Sequence, residues 1–177
     1  MNYSNEKGRD YMTMEYCPNG DLFDIVKRTG KFSSNLSKHF FHQILDGLEY
    51  LHSSRGLAHL DLKLENLLLS KDLKIKLCDF GFVEELRSKV QKGKGTDGYK
   101  APEIYECDTN GGFDGAKADI FALGVVLFIM EFGAPPFETA TKSNNYYRYF
   151  YRESNMMKLF FRLHPATKEL HSKGQLN

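Results

Sequence analysis

His59-Leu60-Asp61-Leu62-Lys63-Leu64-Glu65-Asn66 sets a carboxylate, an ammonium and an amide on one tight loop, and Asp79-Phe80-Gly81 and then Ala101-Pro102-Glu103 follow it downstream. Asn66 and Asp79 offer hard oxygen ligands of the kind Mg²⁺ prefers. Lys63 adds a point positive charge, and Asp61 remains as a free carboxylate to orient a hydroxyl. This set suits a magnesium-bound polyphosphate.

The flanking residues supply a scaffold. Leu67-Leu68-Leu69 and Ile75-Lys76-Leu77-Cys78, separated by Ser70-Lys71-Asp72, have the length of a small β-hairpin. Upstream, Leu36, Phe40, Ile44, Leu48 and Leu51 recur every three or four places, which predicts a long amphipathic helix from Ser33 or Ser34 to about Ser53. Before it, Asp21 caps a short helix that starts at Leu22 and closes at Thr29-Gly30. A half-buried strand is expected over Tyr11-Met12-Thr13-Met14-Glu15-Tyr16, broken by Cys17-Pro18-Asn19-Gly20 and preceded by a polar segment at residues 1–10.

Downstream, residues 82–100 read as an extended surface loop because Gly93-Lys94-Gly95-Thr96-Asp97-Gly98 is too rich in glycine and charge for a regular element. From Asp119 to Met130 the chain is apolar all round, the mark of a central buried helix, and Gly133-Ala134-Pro135-Pro136-Phe137 ends it. The tail from Tyr146 to Leu170 is aromatic and basic, then helical in pattern, and ends in polar residues without a domain-closing element. The expected fold class is α+β, mainly α-helical with small β-hairpins, in one domain over residues 11–177.

Composition narrows the function. The 177 residues, 41% hydrophobic and 27% charged, suffice for one packed domain. A formal charge of +1, from 24 Lys plus Arg against 23 Asp plus Glu, gives no bulk field for nucleic acid or an anionic membrane, so neither is an expected partner. Cys17, Cys78 and Cys107 are odd in number and lack a C-x-x-C spacing, which excludes a disulfide framework and favours a reducing, cytoplasmic setting. The opening residues lack the apolar core of a secretory signal, and Ile120–Met130 is too short to span a bilayer. Nothing in the composition specifies an oligomeric state.

The order and spacing of the three chemical stretches resemble the eukaryotic protein kinase set H-R-D-L-x-x-x-N, D-F-G and A-P-E. The resemblance runs from Tyr11 across nearly the whole chain and implies the large lobe of a kinase fold. It places Met14 at the gatekeeper position. It also implies that the Glu15 carbonyl and Cys17 amide bond adenine, that Asp21 meets ribose hydroxyls, and that Leu68 lies under the base. By the same resemblance Asp61 is the catalytic carboxylate, Lys63 neutralises the transferred phosphoryl group, and Asn66 and Asp79 hold Mg²⁺ across the phosphates of ATP. Asp119 corresponds to the residue that ties down the catalytic-loop backbone. Lys63 two places after Asp61, with Thr96 in a Gly-Thr-x-x-Tyr stretch, resembles the serine/threonine type, whose partner is a protein with a Ser or Thr acceptor.

The chain departs from that pattern in two ways. No Gly-x-Gly-x-x-Gly loop or Val-Ala-x-Lys strand occurs, so the small N-terminal lobe is expected to be mostly missing and Glu103 to lack its usual arginine partner. Leu60 stands where the family usually has the arginine that reads a loop phosphate, so activation by phosphorylation, for example at Ser88, is not expected.

Other features have plainer readings. His39 and His42 lack a third metal ligand, and His59 reads as a core histidine that anchors backbone. Gly93-Lys94-Gly95-Thr96 fails the phosphate-loop spacing. A second functional reading stays open at this point, in which the lobe is a noncatalytic, pseudokinase-like interaction module.

Overall fold

Asp21 and Ser33 start helices as their sequence contexts suggest. The Asp21 carboxylate accepts the Asp24 N–H at 2.8 Å and opens α1 (Leu22–Thr29). The Ser33 hydroxyl accepts the Leu36 N–H and opens α2 (Ser34–Glu49), which runs on into a π-helical turn at Tyr50–Ser54. The buried face of α2 is Ser37, Phe40, Ile44 and Leu48. Leu36, assigned to that face by period, is 38% exposed because it sits in the first turn, ahead of the core. The computed structural model describes residues 2–87, 89–90, 93–150 and 155–176, so Ser88 and the Tyr151-Arg152 end of the aromatic run lie outside the described residues.

The chain begins with a hairpin rather than an unpaired polar segment. β1 (Asn2–Glu6) pairs antiparallel with β2 (Arg9–Thr13), with Asn2 opposite Thr13. Lys7 and Gly8 both have positive φ, 50° and 75°, the backbone of a two-residue turn whose twist matches that of the strands. That turn fixes the register. The strand expected at Tyr11–Tyr16 therefore starts two residues earlier and stops at Thr13.

Residues 57–85 hold the chemical loop. β3 (Leu57–Ala58) pairs with β6 (Glu84–Glu85), and β4 (Leu67–Leu69) pairs with β5 (Ile75–Leu77) as the expected hairpin. Val90 and Phe113 form a further bridge, so the segment over residues 82–100 is strapped at two points rather than simply extended. α3 (Pro102–Asn110) follows, with proline in its first turn where a missing N–H costs nothing.

The main core joins α1, α2 and the loop leucines to α4 (Gly115–Phe132). α4 begins four residues before Asp119 because Asp114 caps it, accepting the Ala116 and Lys117 N–H groups at 3.0 and 3.2 Å. It is not enclosed on all sides: Val126 and Met130 are fully buried, whereas Ile120 is half exposed. Gly133 ends it at φ 76°, and a Cβ there would lie 2.2 Å from the Gly30 carbonyl oxygen, so the ends of α1 and α4 meet backbone to backbone. The Phe32 N–H donates to the Met130 carbonyl beside this contact at 2.8 Å.

The tail packs onto α4. α5 (Asn155–Leu163) and α6 (Lys168–Ser172) lay Phe160 and His164 on Phe128 of α4, with ring centroids 5.8 and 5.5 Å apart. Tyr147, Tyr149 and Phe160 are buried there, which accounts for part of the aromatic excess.

Candidate active site

Leu62, Leu64 and Leu67 are at most 1% exposed, and these leucines hold the loop against the core. Burying each contributes about 1.5–3 kcal/mol, and alternation leaves the intervening polar residues facing one another. The Asp61 Oδ2 accepts from Lys63 Nζ at 2.7 Å and from Asn66 Nδ2 at 3.3 Å. Its Oδ1 accepts from the Thr96 hydroxyl at 2.7 Å, and Thr96 Oγ1 in turn accepts from Lys63 Nζ at 2.9 Å. Asn66 Nδ2 also donates to the Asp61 carbonyl at 2.8 Å. The Asp61 carboxylate is thus fixed from three sides while 4% exposed.

The backbone beneath is held with equal definition. Asp119, 1% exposed, accepts the His59 N–H on Oδ2 at 2.7 Å and the Leu60 N–H on Oδ1 at 2.8 Å. His52 Nε2 donates to the same Oδ2 at 2.8 Å. His59 is fully buried; its Nδ1 accepts the Asp61 N–H at 3.3 Å and its Nε2–H donates to the Cys78 carbonyl at 3.0 Å. One imidazole therefore bridges the loop of Asp61 to the strand that delivers Asp79.

The Cys78 N–H donates to the Asn66 carbonyl at 3.0 Å, which ties the backbone just ahead of Asp79 to Asn66. Asp79 has φ 61°, a left-handed conformation in which its Oδ1 accepts the Gly81 N–H at 3.3 Å, and the residue is exposed. Asn66 points its amide hydrogens at Asp61, which leaves its Oδ1 as the donor atom for a ligand. One amide oxygen and one carboxylate are donors of the kind a hard divalent cation would take. Among the described residues no three His, Cys, Asp or Glu side chains cluster as a self-sufficient metal cage.

The residues assigned to the adenine side form a looser group. Asp21 caps α1 and makes a β-bridge with Leu68, while Cys17 is half-buried. Burial is the main cause that pushes the Cys78 thiol up; Asp79, Cys17 and Asp21 add to it and Lys63 opposes it. Both halves of the expected site thus act on Cys78. Met14 is 56% exposed, and the Glu15 carboxylate pairs with Lys76 of β5 at 3.0 Å. Neither Met14 nor Glu15 joins the Asp61 network among the described contacts.

His52 was not anticipated, although a histidine at the end of the long helical pattern was the available signal. The phenol of Tyr99, the tyrosine of the Gly-Thr-x-x-Tyr stretch, is pushed up by burial first and then by the Glu65 charge, and its half-buried ring packs against the main core.

The protein kinase domain family matches residues 1–175. The chain is 40% identical over 136 residues to CBL-interacting protein kinase 11 of Oryza sativa subsp. japonica, covering 74% of this chain and 26% of that protein. It is 42% identical over 136 residues to CBL-interacting protein kinase 26 of the same organism, covering 74% and 27%. It is 40% identical over 147 residues to serine/threonine-protein kinase PLK4 of Xenopus tropicalis, covering 81% and 15%. The chain spans about a quarter or less of the length of these relatives.

Proposed function

The chain belongs to the protein kinase domain family, and from that premise we propose that it carries the large-lobe half of a serine/threonine kinase site, which transfers the γ-phosphate of ATP to a protein hydroxyl. The observation that carries this reading is the Asp61 carboxylate, held at once by Lys63, Thr96 and Asn66.

Asn66 and Asp79 would hold the divalent cation, Mg²⁺ by the hardness of their oxygen donors. When bound it neutralises phosphate charge. Asp61 orients the acceptor hydroxyl and takes its proton: a carboxylate has about four lone-pair positions, and the three side-chain bonds to it leave one for the substrate. Lys63 neutralises charge on the transferred group. Because Asp119 and His59 fix the backbone of this loop, the groups need no reorganisation at the moment of transfer.

A cavity of about 580 Å³ adjoins Thr96 and is lined by Phe23, Phe137, Tyr99, Glu65, Asp97 and Glu138 among others. Glu65 Oε2 is buried with no hydrogen-bond partner among the described residues. Lys27 also lines the cavity and Asp97 pairs with Lys100 at 3.0 Å, which leaves Glu65 and Glu138 beside apolar walls; these suit an acceptor polypeptide that carries a basic residue. Among the described residues no helix is long and apolar enough to cross a membrane. Free Cys17 and Cys78 support a cytoplasmic setting.

The test is phosphate transfer from Mg-ATP by the full-length protein to peptides with Ser, Thr or Tyr acceptors. Asp61→Asn is expected to lower turnover by roughly two orders of magnitude or more, the scale of general-base catalysis, with nucleotide affinity unchanged. Unchanged transfer would overturn the role of Asp61, and a tyrosine preference would overturn the acceptor class.

A further inference from the structure

A second polar cavity, about 350 Å³, opens where the π-helical turn meets β3 and β6, away from the Asp61 loop; Ser53, Ser54, Arg55, Gly56, Glu85 and Arg87 line it. β3 and β6 place Leu57 opposite Glu85, and the Leu86 N–H donates to the Gly56 carbonyl at 2.8 Å. Beyond the paired residues Arg55 caps the π-helical turn with helical backbone dihedrals, φ −106° and ψ −18°, and Arg55 and Arg87 both line this cavity. Neither guanidinium has an ion-pair partner among the described residues, and Glu85, the one carboxylate of the lining, is engaged in a contact of its own.

We propose that this cavity is a binding site for a phosphomonoester dianion, which Arg55 and Arg87 clamp between them and the Ser53 and Ser54 hydroxyls complete. Two planar guanidiniums present paired donors matched to the oxygens of phosphate, and a tetrahedral dianion can serve both arginines and a hydroxyl at once, which a carboxylate cannot. The volume exceeds that of a bare ion and accommodates a phosphorylated side chain as well as free phosphate.

Occupation has a structural consequence. Arg55 follows the turn whose His52 bonds Asp119, and Arg87 follows β6, which continues the segment that leaves Asp79. An anion between the two arginines ties the start of that segment to the support of the catalytic loop. The site would act by holding β3 and β6 together, so its occupancy couples to order in residues 79–90. This inference does not depend on the proposed phosphoryl transfer and is read by binding alone.

The experiment titrates the full-length protein with inorganic phosphate, and separately with a short phosphoserine peptide, at constant ionic strength. Thermal unfolding and amide hydrogen exchange of residues 79–90 are followed. Arg55→Gln, Arg87→Gln and the double variant are compared with Arg162→Gln, an exposed charge-matched control on α5. Saturable stabilisation and slowed exchange are expected for the wild type and the control. Each single variant raises the midpoint roughly tenfold, the scale of one lost charge-assisted contact, and the double variant abolishes the response. The tighter of the two probes identifies the source of the phosphate group. A non-saturable response, or one equal in the wild type and the double variant, overturns the proposal, and circular dichroism of the variants excludes misfolding as the cause.

Discussion

The Thr96 hydroxyl donates to Asp61 Oδ1 at 2.7 Å across 35 positions of chain, while its oxygen accepts from Lys63 at 2.9 Å. Thr96 is therefore both donor and acceptor, and it joins the two charged groups of the loop into a closed triangle with the Lys63–Asp61 pair.

Thr96→Val keeps the shape and removes both bonds. It is expected to lower turnover by roughly tenfold or more, since each hydrogen bond lost to a charged group costs about 1.5–3 kcal/mol and a factor of ten is about 1.4 kcal/mol. Affinity for ATP should hold, because the nucleotide side of the site is untouched. Thr96→Ser restores the hydroxyl and should restore most of the rate. Steady-state kinetics on the three proteins decides it, and equal rates for the valine and serine variants would remove Thr96 from the network.

Asp119 makes a stability prediction of another kind. Its carboxylate satisfies two backbone N–H groups and His52 in a site 1% exposed. Asp119→Ala leaves both backbone donors buried and unpaired, each costing about 1–3 kcal/mol. Asp119→Asn keeps one acceptor oxygen and should lose less. His52→Ala, which removes one of three partners, should cost the least. Denaturant unfolding gives the order directly, and a His52 variant as unstable as Asp119→Ala would mean that the imidazole, not the carboxylate, supports the loop.

What could be read in advance follows from the range of each interaction. Asp61, Lys63 and Asn66 lie within six residues and share a loop that the leucine pattern pins, so their convergence was legible. The pairing His52–Asp119 joins residues 67 apart, and nothing local encodes such a partner. The β1–β2 hairpin was missed for a different reason. The described side chains of both strands are exposed, so no alternation of apolar residues marks them, and the only signal is the Lys7-Gly8 turn. The start of α4 was placed at Asp119 because apolar residues begin there, whereas the cap that sets it is Asp114.

Leu60 tests which of two opposed effects is larger. It has φ 64°, a conformation that costs a non-glycine residue about 1–2 kcal/mol. It is also 5% exposed, in a second apolar cluster with Val90, Ala101, Ile104, Phe113 and Ala118. Leu60→Gly relieves the strain but empties a leucine-sized space, and large-to-small core changes of this kind cost about 2–5 kcal/mol. The cavity wins, so net destabilisation is expected, with Leu60→Ala worse still because it keeps the strain. Leu60→Arg buries a guanidinium among apolar groups and should be the least stable of the three. Thermal unfolding midpoints check the order, and a glycine variant more stable than the wild type would show that the strain dominates.

His164 predicts a pH dependence. Its ring is buried between Phe160, Phe128 and Tyr146, with centroids 4.9, 5.5 and 4.7 Å away, and Nε2 donates to the Pro135 carbonyl at 3.2 Å. Burial lowers its pKa, and the Pro135 carbonyl offsets part of this by favouring the protonated ring. A histidine depressed in the folded state takes up its proton at higher pH when unfolded, near the ordinary value of about 6.5. Stability from this group is thus complete above that pH, falls as pH drops below it, and stops falling once the folded ring is also protonated. His164→Gln cannot titrate and should flatten that part of the profile, at the cost of some ring packing against Phe160. Denaturation midpoints across the acid range test it: a wild-type slope that survives the substitution would assign the acid sensitivity to another group.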